Sequence, residues 1–173
     1  MLGFEHILAG YDHVLFVLAL LLGARGLRGV LTVATMFTLA HSATLALAVL
    51  GWASVPGAVV EPLIALSIAY TAVANLVAPA SRRRLAVVFG FGLLHGLGFA
   101  GALQLGGEVD APMLLSLLSF NVGVELGQTL IILLVFPVLL WARRFAWSAP
   151  AQAVATGAIG VVGLLWFVER LSV

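Results

Sequence analysis

The stretch EHILAGYDH places four ionisable side chains directly before the apolar run VLFVLALLLG; they are Glu5, His6, Asp12 and His13. Imidazoles and carboxylates are common ligands of divalent transition metals, and the chain has no cysteine to supply a thiolate instead. A charged side chain at the centre of a bilayer costs at least about 2.5 kcal/mol, so such residues normally belong to a site or a pathway. This stretch therefore indicates a metal site within an apolar protein.

Other ionisable residues also lie in apolar segments, namely His41, Glu61, His95 and Glu125. His6 and His13 are seven residues apart, so they lie on one face of a helix. Asn121, Glu125 and Gln128 follow the i, i+4, i+7 pattern and predict a polar stripe on an apolar helix. Several helices are therefore expected to turn polar groups toward a common interior.

The elements that must position these residues follow from the composition. Of the 173 residues, 63% are hydrophobic and only 9% are charged, with a mean hydropathy of +1.21. This predicts an all-α integral membrane protein, a single transmembrane domain over residues 1–173. Six helices are expected, at roughly 3–23, 29–50, 58–78, 85–105, 112–141 and 151–169. The fifth is long for one span and is expected to tilt or to lose helix near Pro137. The start of the chain does not resemble a signal peptide.

Arginine placement predicts the orientation of the bundle. Three alternate connections hold the arginine residues Arg25, Arg28, Arg82, Arg83, Arg84, Arg143 and Arg144, whereas another connection holds Glu108 and Asp110. The positive-inside rule then places the arginine connections in the cytoplasm and both termini on the extracytoplasmic side. Net charge is +1 without a basic patch, so nucleic acid is not an expected partner.

With this orientation, the rise of 1.5 Å per residue places His13, His41, His95 and Glu125 in one layer, about 15 Å below the outer surface. We predict that these residues and Asp12 form an inner metal site, and that His6 and Glu61 receive the ion at the outer mouth. The supporting polar residues are expected to be Glu5, Ser42, Asn121 and Gln128.

A site of this composition suits Ni, Co, Zn, Fe or Mn, with Cu(II) also open. The leading hypothesis is a secondary permease or binding protein for such an ion, since neither an ATP-binding motif nor a protease or oxidase signature is present. A membrane metalloenzyme with Glu125 as base is one alternative. The others are a haem protein with His41 and His95 as axial ligands, and a purely structural role for the polar residues. Homo-oligomerisation is left open.

The motifs resemble those of a known family. His6, Asp12 and His13 form H-x5-D-H, and further blocks are FTLAHSATLAL (37–47), VEPLIALSI (60–68), FGLLHGLGFAGAL (91–103) and FNVGVELGQ (120–128). Together they resemble the second branch of the HupE/UreJ family of nickel/cobalt permeases. The resemblance implies a compact six-helix protein of the bacterial inner membrane that handles Ni²⁺ or Co²⁺. It also implies that His6, Asp12 and His13 are metal residues, with His41, His95 and Glu125 as inner polar residues.

Overall fold

A computed structural model of the chain describes residues 2–77, 83–103 and 110–172. The described residues form seven α-helices and no strand: α1 (Leu2–Ala9), α2 (Tyr11–Leu22), α3 (Leu27–Val49), α4 (Gly57–Val77), α5 (Arg84–Leu103), α6 (Ala111–Ala142) and α7 (Ser148–Leu171). Four of them, α3, α4, α6 and α7, are long and apolar enough to cross a membrane. The all-α class and the membrane class are therefore confirmed.

The first segment corrects the expectation of one helix over 3–23. It is broken into α1 and α2, which meet at Gly10 with a bend of 72°. The Gly10 N–H donates to His6 O at 2.9 Å, and Gly10 O accepts from Val14 N at 3.0 Å, so the backbone stays paired on both sides. A Cβ at Gly10 would lie 2.6 Å from His6 O, closer than real Cβ contacts. The bend therefore requires a residue without a side chain.

The fifth predicted segment forms one helix rather than a broken one. Helix α6 runs for 32 residues and continues without interruption through Pro137. Asp110 caps its start by accepting a hydrogen bond from Met113 N at 2.9 Å. Its length of about 48 Å exceeds the roughly 30 Å hydrocarbon core, so it must tilt or project beyond the bilayer. The predicted helix ends at 78 and 105 lie outside the described residues, as do Arg82 and Glu108.

Small residues bring the helices of the bundle into close contact. Helices α3 and α5 run parallel, and a Cβ at Gly92 would lie 2.5 Å from Phe37 O. Helices α4 and α7 run antiparallel, with Gly163 close to the backbone of Ala69. Helix α1 packs on α6 where Gly123 meets Phe4 N. The first of these approaches holds α5 against the side of α3 that carries Phe37 and His41.

Arginine side chains join the ends of three elements. Arg84 donates to Gly23 O and to Leu20 O, both at 2.8 Å, and Arg143 donates to Ala24 O at 2.8 Å. All three acceptors lie at the C-terminal end of α2, where cations also favour the helix dipole. We call this the arginine end of the bundle. The opposite end, where α4 begins and α7 finishes, is called the Arg170 end.

Candidate metal site

Three histidines from three helices meet inside the bundle. The ligand nitrogens of His6, His13 and His41 all lie within 4.8 Å of one another. Their ring centroids are 4.6 Å apart for His6 and His13, 6.0 Å for His13 and His41, and 6.2 Å for His6 and His41. The break at Gly10 makes this possible, because α1 and α2 approach the site from different directions. We call these three residues the histidine triad.

His95 extends the triad from α5. Its ring centroid lies 5.0 Å from that of His13, and its side chain is fully enclosed. Ser67 donates its single hydroxyl proton to Ile64 O at 2.7 Å and lies 3.1 Å from His95 Nε2. With that proton on Ile64 O, Nε2–H of His95 can donate to Ser67, which leaves the lone pair on Nδ1. Ser67 thus favours the tautomer in which His95 Nδ1 can bind a metal.

Several imidazole nitrogens of the site have nothing to bond within the described residues. His13 Nε2 and His95 Nδ1 are buried without a hydrogen-bond partner. The nitrogens of His41 make no hydrogen bond of good geometry there, although the Asn121 side chain lies beside the ring. A buried polar atom without a partner costs roughly 1–3 kcal/mol, so this arrangement suits a ligand that supplies the missing bond.

A cavity of about 220 Å³ connects the site to the Arg170 end. It is lined by His6, Gly10, Asp12, His13, Glu61, Ile64, His95, Gly98 and Arg170. Next to it, a second cavity of about 500 Å³ is lined by Ala58, Glu61, Trp166, Glu169 and Arg170. We call them the inner and the outer cavity. Glu61 and Arg170 belong to both, so these two residues lie at the boundary between them.

Aromatic rings cover the site on its other sides. The Phe37 ring lies 5.0 Å from the His95 ring and 5.0 Å from the Phe16 ring, and both phenylalanines are fully buried. Phe120 of α6 stacks on His41 with ring centroids 6.4 Å apart. Phe16 and Phe37 belong to the apolar core, which continues toward Leu20 at the arginine end. Apolar side chains thus lie between the site and that end.

The predicted carboxylates lie at the edge of the cluster. Asp12, next to His13, forms a two-pronged ion pair with Arg170, with Nη1 to Oδ1 at 3.0 Å and Nη2 to Oδ2 at 3.1 Å. Glu61 is exposed, and its backbone carbonyl accepts from Arg170 Nη1 at 3.2 Å. Glu5 is exposed on α1. The structure thus brings Asp12 and Glu61 together around one arginine.

In its described contacts, the polar stripe of α6 faces α3. Thr35 donates to Glu125 Oε1 at 2.6 Å, and the Thr38 hydroxyl lies 3.4 Å from Gln128 Oε1. Thr35 precedes His41 by six residues, so Glu125 lies about 9 Å from the triad along α3, toward the arginine end. Glu125 Oε2 is buried without a hydrogen-bond partner among the described residues.

Among the described residues, Ser42 donates to Thr38 O at 2.6 Å on its own helix. Sequence reasoning missed two residues that the structure places near the predicted ones. Arg170 was overlooked, although it is the one arginine outside the three arginine connections. Its separate position was the signal that could have identified it. Thr35 carried no such signal, because a hydroxyl in an apolar helix commonly bonds its own backbone.

A family model described as "HupE / UreJ protein" matches residues 1–170, nearly the whole chain. No curated protein and no solved structure matches the chain.

Proposed function

The chain belongs to the HupE/UreJ family, and from that premise we propose that it binds a divalent transition-metal ion inside the membrane and carries it across. Ni²⁺ or Co²⁺ is the proposed cargo, in keeping with the family resemblance. The observation that carries the proposal is the histidine triad, three imidazoles from separate helices with ligand nitrogens within 4.8 Å.

The triad needs a modest closure to hold an ion. Nitrogens bound to one ion at about 2.1 Å in a tetrahedral site lie about 3.4 Å from one another. The nitrogens of the triad lie within 4.8 Å of one another, so they have to approach by up to about 1.4 Å, which rotations of the rings can provide. Imidazole and carboxylate ligands without thiolate also allow an ion to leave again, as transport requires.

We assign different tasks to the remaining predicted residues. His95 lies against His13 and is the fourth imidazole available to the ion. Asp12 supplies the negative charge that a dication needs in a low dielectric, and Glu61 meets the ion at the entrance. Glu125, further along α3 and α6, serves the onward route toward the arginine end. Asn121 and Gln128 line that route.

For the topology we propose six spans. The bent pair α1–α2 counts as one span and the shorter apolar helix α5 as another, alongside the four long helices. The arginine end would face the cytoplasm of a bacterial inner membrane, with both termini outside. The chain has no cysteine, so single-cysteine labelling is unambiguous. Ser172→Cys should react with an impermeant maleimide on intact cells, and Ala146→Cys only after permeabilisation. The reverse pattern would invert the topology.

The geometry does not favour the alternative functions. For haem, His41 and His95 would have to flank a porphyrin, but His13 and Phe37 each contact both rings and fill the space between them. For a metalloenzyme, Glu125 would have to act as a base at the metal, but its described hydrogen bond goes to Thr35, away from the triad.

Titration of the purified protein with Ni²⁺ and Co²⁺ tests the proposal. Wild type should bind about one equivalent. His13→Ala and His95→Ala should each lose the bound metal while the protein stays folded, because each removes a buried imidazole of the site. Asp110→Asn is the matched control: it removes a carboxylate far from the triad and preserves the helix cap. Full stoichiometry in both histidine variants would disprove this site.

Transport is a separate measurement. Proteoliposomes loaded with a metal-sensitive dye should take up Ni²⁺ or Co²⁺ with wild type and not with His13→Ala. Binding without uptake would reduce the function to metal binding.

A further inference from the structure

Arg170 occupies a position that its role as a helix-terminal residue does not explain. Its guanidinium donates to Asp12 Oδ2 and to the backbone carbonyl of Glu61, lies 3.0 Å from Asp12 Oδ1 as an ion-pair contact, and lies over the Trp166 ring at 5.4 Å. The two side chains of the ion pair are only about one quarter exposed, at 24% for Arg170 and 26% for Asp12. A pair of this geometry is held more firmly than an open surface contact.

Arg170 also stands at the boundary between the inner and the outer cavity, since it lines both. An ion that moves from the outer cavity into the inner cavity therefore passes beside this guanidinium. Arg170 moreover holds the carboxylate of Asp12, the residue next to His13. The Arg170 guanidinium is thus already paired with the Asp12 carboxylate, which the transported metal ion needs.

A second set of carboxylates is available to the same guanidinium. Glu61 and Glu169 line the outer cavity together with Arg170, and both are exposed. A long, flexible arginine side chain could move from Asp12 to these residues and remain paired with a carboxylate in either position. Displacement of Arg170 therefore does not require that its charge be left uncompensated, which would be costly at a membrane boundary.

On these observations, and resting on the proposed metal transport, we propose that Arg170 is the gate of the outer entrance. Its guanidinium holds Asp12 until a cation that can bind the imidazoles takes its place, and then moves toward Glu61 and Glu169. Mg²⁺ and Ca²⁺ prefer oxygen ligands and gain little from imidazole, so they would not displace it. Arg170 would thereby add selectivity that the triad alone does not have.

The first test is made without metal. Ile64 lines the inner cavity and is 8% exposed, so the reaction of Ile64→Cys with a small maleimide reports how open the entrance is. Adding Arg170→Gln should speed this labelling about tenfold, because glutamine keeps a polar side chain but cannot hold Asp12 through a charged fork. Arg144→Gln makes the same change of charge at the arginine end and should leave the rate unchanged. An unchanged rate with Arg170→Gln would overturn the gate.

The second test is Ni²⁺ affinity on two backgrounds. With Asp12 present, Arg170→Gln should bind Ni²⁺ about tenfold more tightly, and millimolar Mg²⁺ should now compete. In the Asp12→Asn variant, adding Arg170→Gln should leave the Ni²⁺ affinity unchanged, because no Asp12 carboxylate remains for which Arg170 and Ni²⁺ compete. A merely structural Arg170 would instead give weaker binding on both backgrounds, and that result would refute the proposal.

The two tests separate the gate from the proposed function. Faster labelling in a protein that binds neither Ni²⁺ nor Co²⁺ would support the entrance role of Arg170 and disprove metal transport. Unchanged labelling in a protein that binds metal would leave transport standing and exclude the gate.

Discussion

The arginine end and the Arg170 end use the same side chain for different purposes. At the arginine end, Arg84 and Arg143 donate to backbone carbonyls at the C-terminus of α2, and no carboxylate takes part in those bonds. At the Arg170 end, the guanidinium holds a carboxylate next to His13 and lines two cavities. A carbonyl cannot leave its helix, whereas a carboxylate can exchange one cation for another. Under the proposed gate, the arginine end stays closed and the Arg170 end opens.

The layer of apolar side chains between the two ends adds to this difference. Phe16, Phe37 and the apolar core separate the histidine triad from the arginine end, whereas the inner cavity connects it with the Arg170 end. Under the proposed function, an ion would reach the triad from the Arg170 end in this conformation, and its passage onward would require the aromatic layer to part. Four changes can test or sharpen this contrast.

The largest effect is expected from the bend at Gly10. Gly10→Ala should abolish detectable Ni²⁺ binding, because the new Cβ would lie 2.6 Å from His6 O and 3.1 Å from His13 Nδ1. The bend would have to open, and two members of the triad would separate. Gly29→Ala on α3 is the matched control, since its Cβ meets nothing within 4 Å. Titration of both variants should show loss in the first only; normal binding by Gly10→Ala would mean that the bend does not position the triad.

Acidification should affect the two ends unequally. A protonated imidazole cannot bind a metal, so Ni²⁺ affinity should fall by about tenfold or more per pH unit once the site histidines begin to protonate. The arginine–carbonyl bonds involve neither an imidazole nor a carboxylate and should be unaffected. Binding measured at several pH values, with release of protons on metal addition, checks this. An affinity independent of pH would argue against imidazole ligands.

Removal of an arginine at the arginine end should change the free energy of unfolding rather than the selectivity between metal ions. Arg84→Ala leaves the carbonyls of Leu20 and Gly23 without this donor and should lower the free energy of unfolding by about 1–3 kcal/mol. Ni²⁺ affinity and competition by Mg²⁺ should remain as in wild type. Thermal unfolding in detergent, alongside the titration, compares this variant with Arg170→Gln. Altered selectivity in Arg84→Ala would remove the distinction between the two ends.

The smallest effect is expected at Ser67. Ser67→Ala removes the acceptor for His95 Nε2–H and should weaken Ni²⁺ binding about tenfold, the lower limit for the loss of such a supporting partner. Ser116→Ala, an exposed serine of α6 that donates to Pro112 O, should have no effect. Equal affinities in the two variants would show that Ser67 does not set the tautomer of His95.

Much of the architecture could be predicted from residue types and spacing. High hydropathy over long segments predicts apolar helices, and the described structure is all-helical with four helices long enough to span a membrane. The arginine connections predict a common end, and Arg84 and Arg143 indeed meet the end of α2. The break within the first segment was not predicted, because one glycine in an apolar run is compatible with a straight helix. At Pro137 the sequence left two alternatives open, a tilt or a loss of helix, and the helix continues through it.

The candidate site, too, could be predicted from the sequence only in part. The sequence by itself determined which side chains are too polar to face lipid: four histidines and a few carboxylates have to be enclosed wherever the helices pack. It could not determine which of them meet, because helix order and the direction of a bend depend on contacts between residues far apart in the chain. Only the tertiary structure brought His6, His13 and His41 within 4.8 Å. It also placed Glu125 beside Thr35 and set Arg170 on Asp12, a contact between residues 158 positions apart.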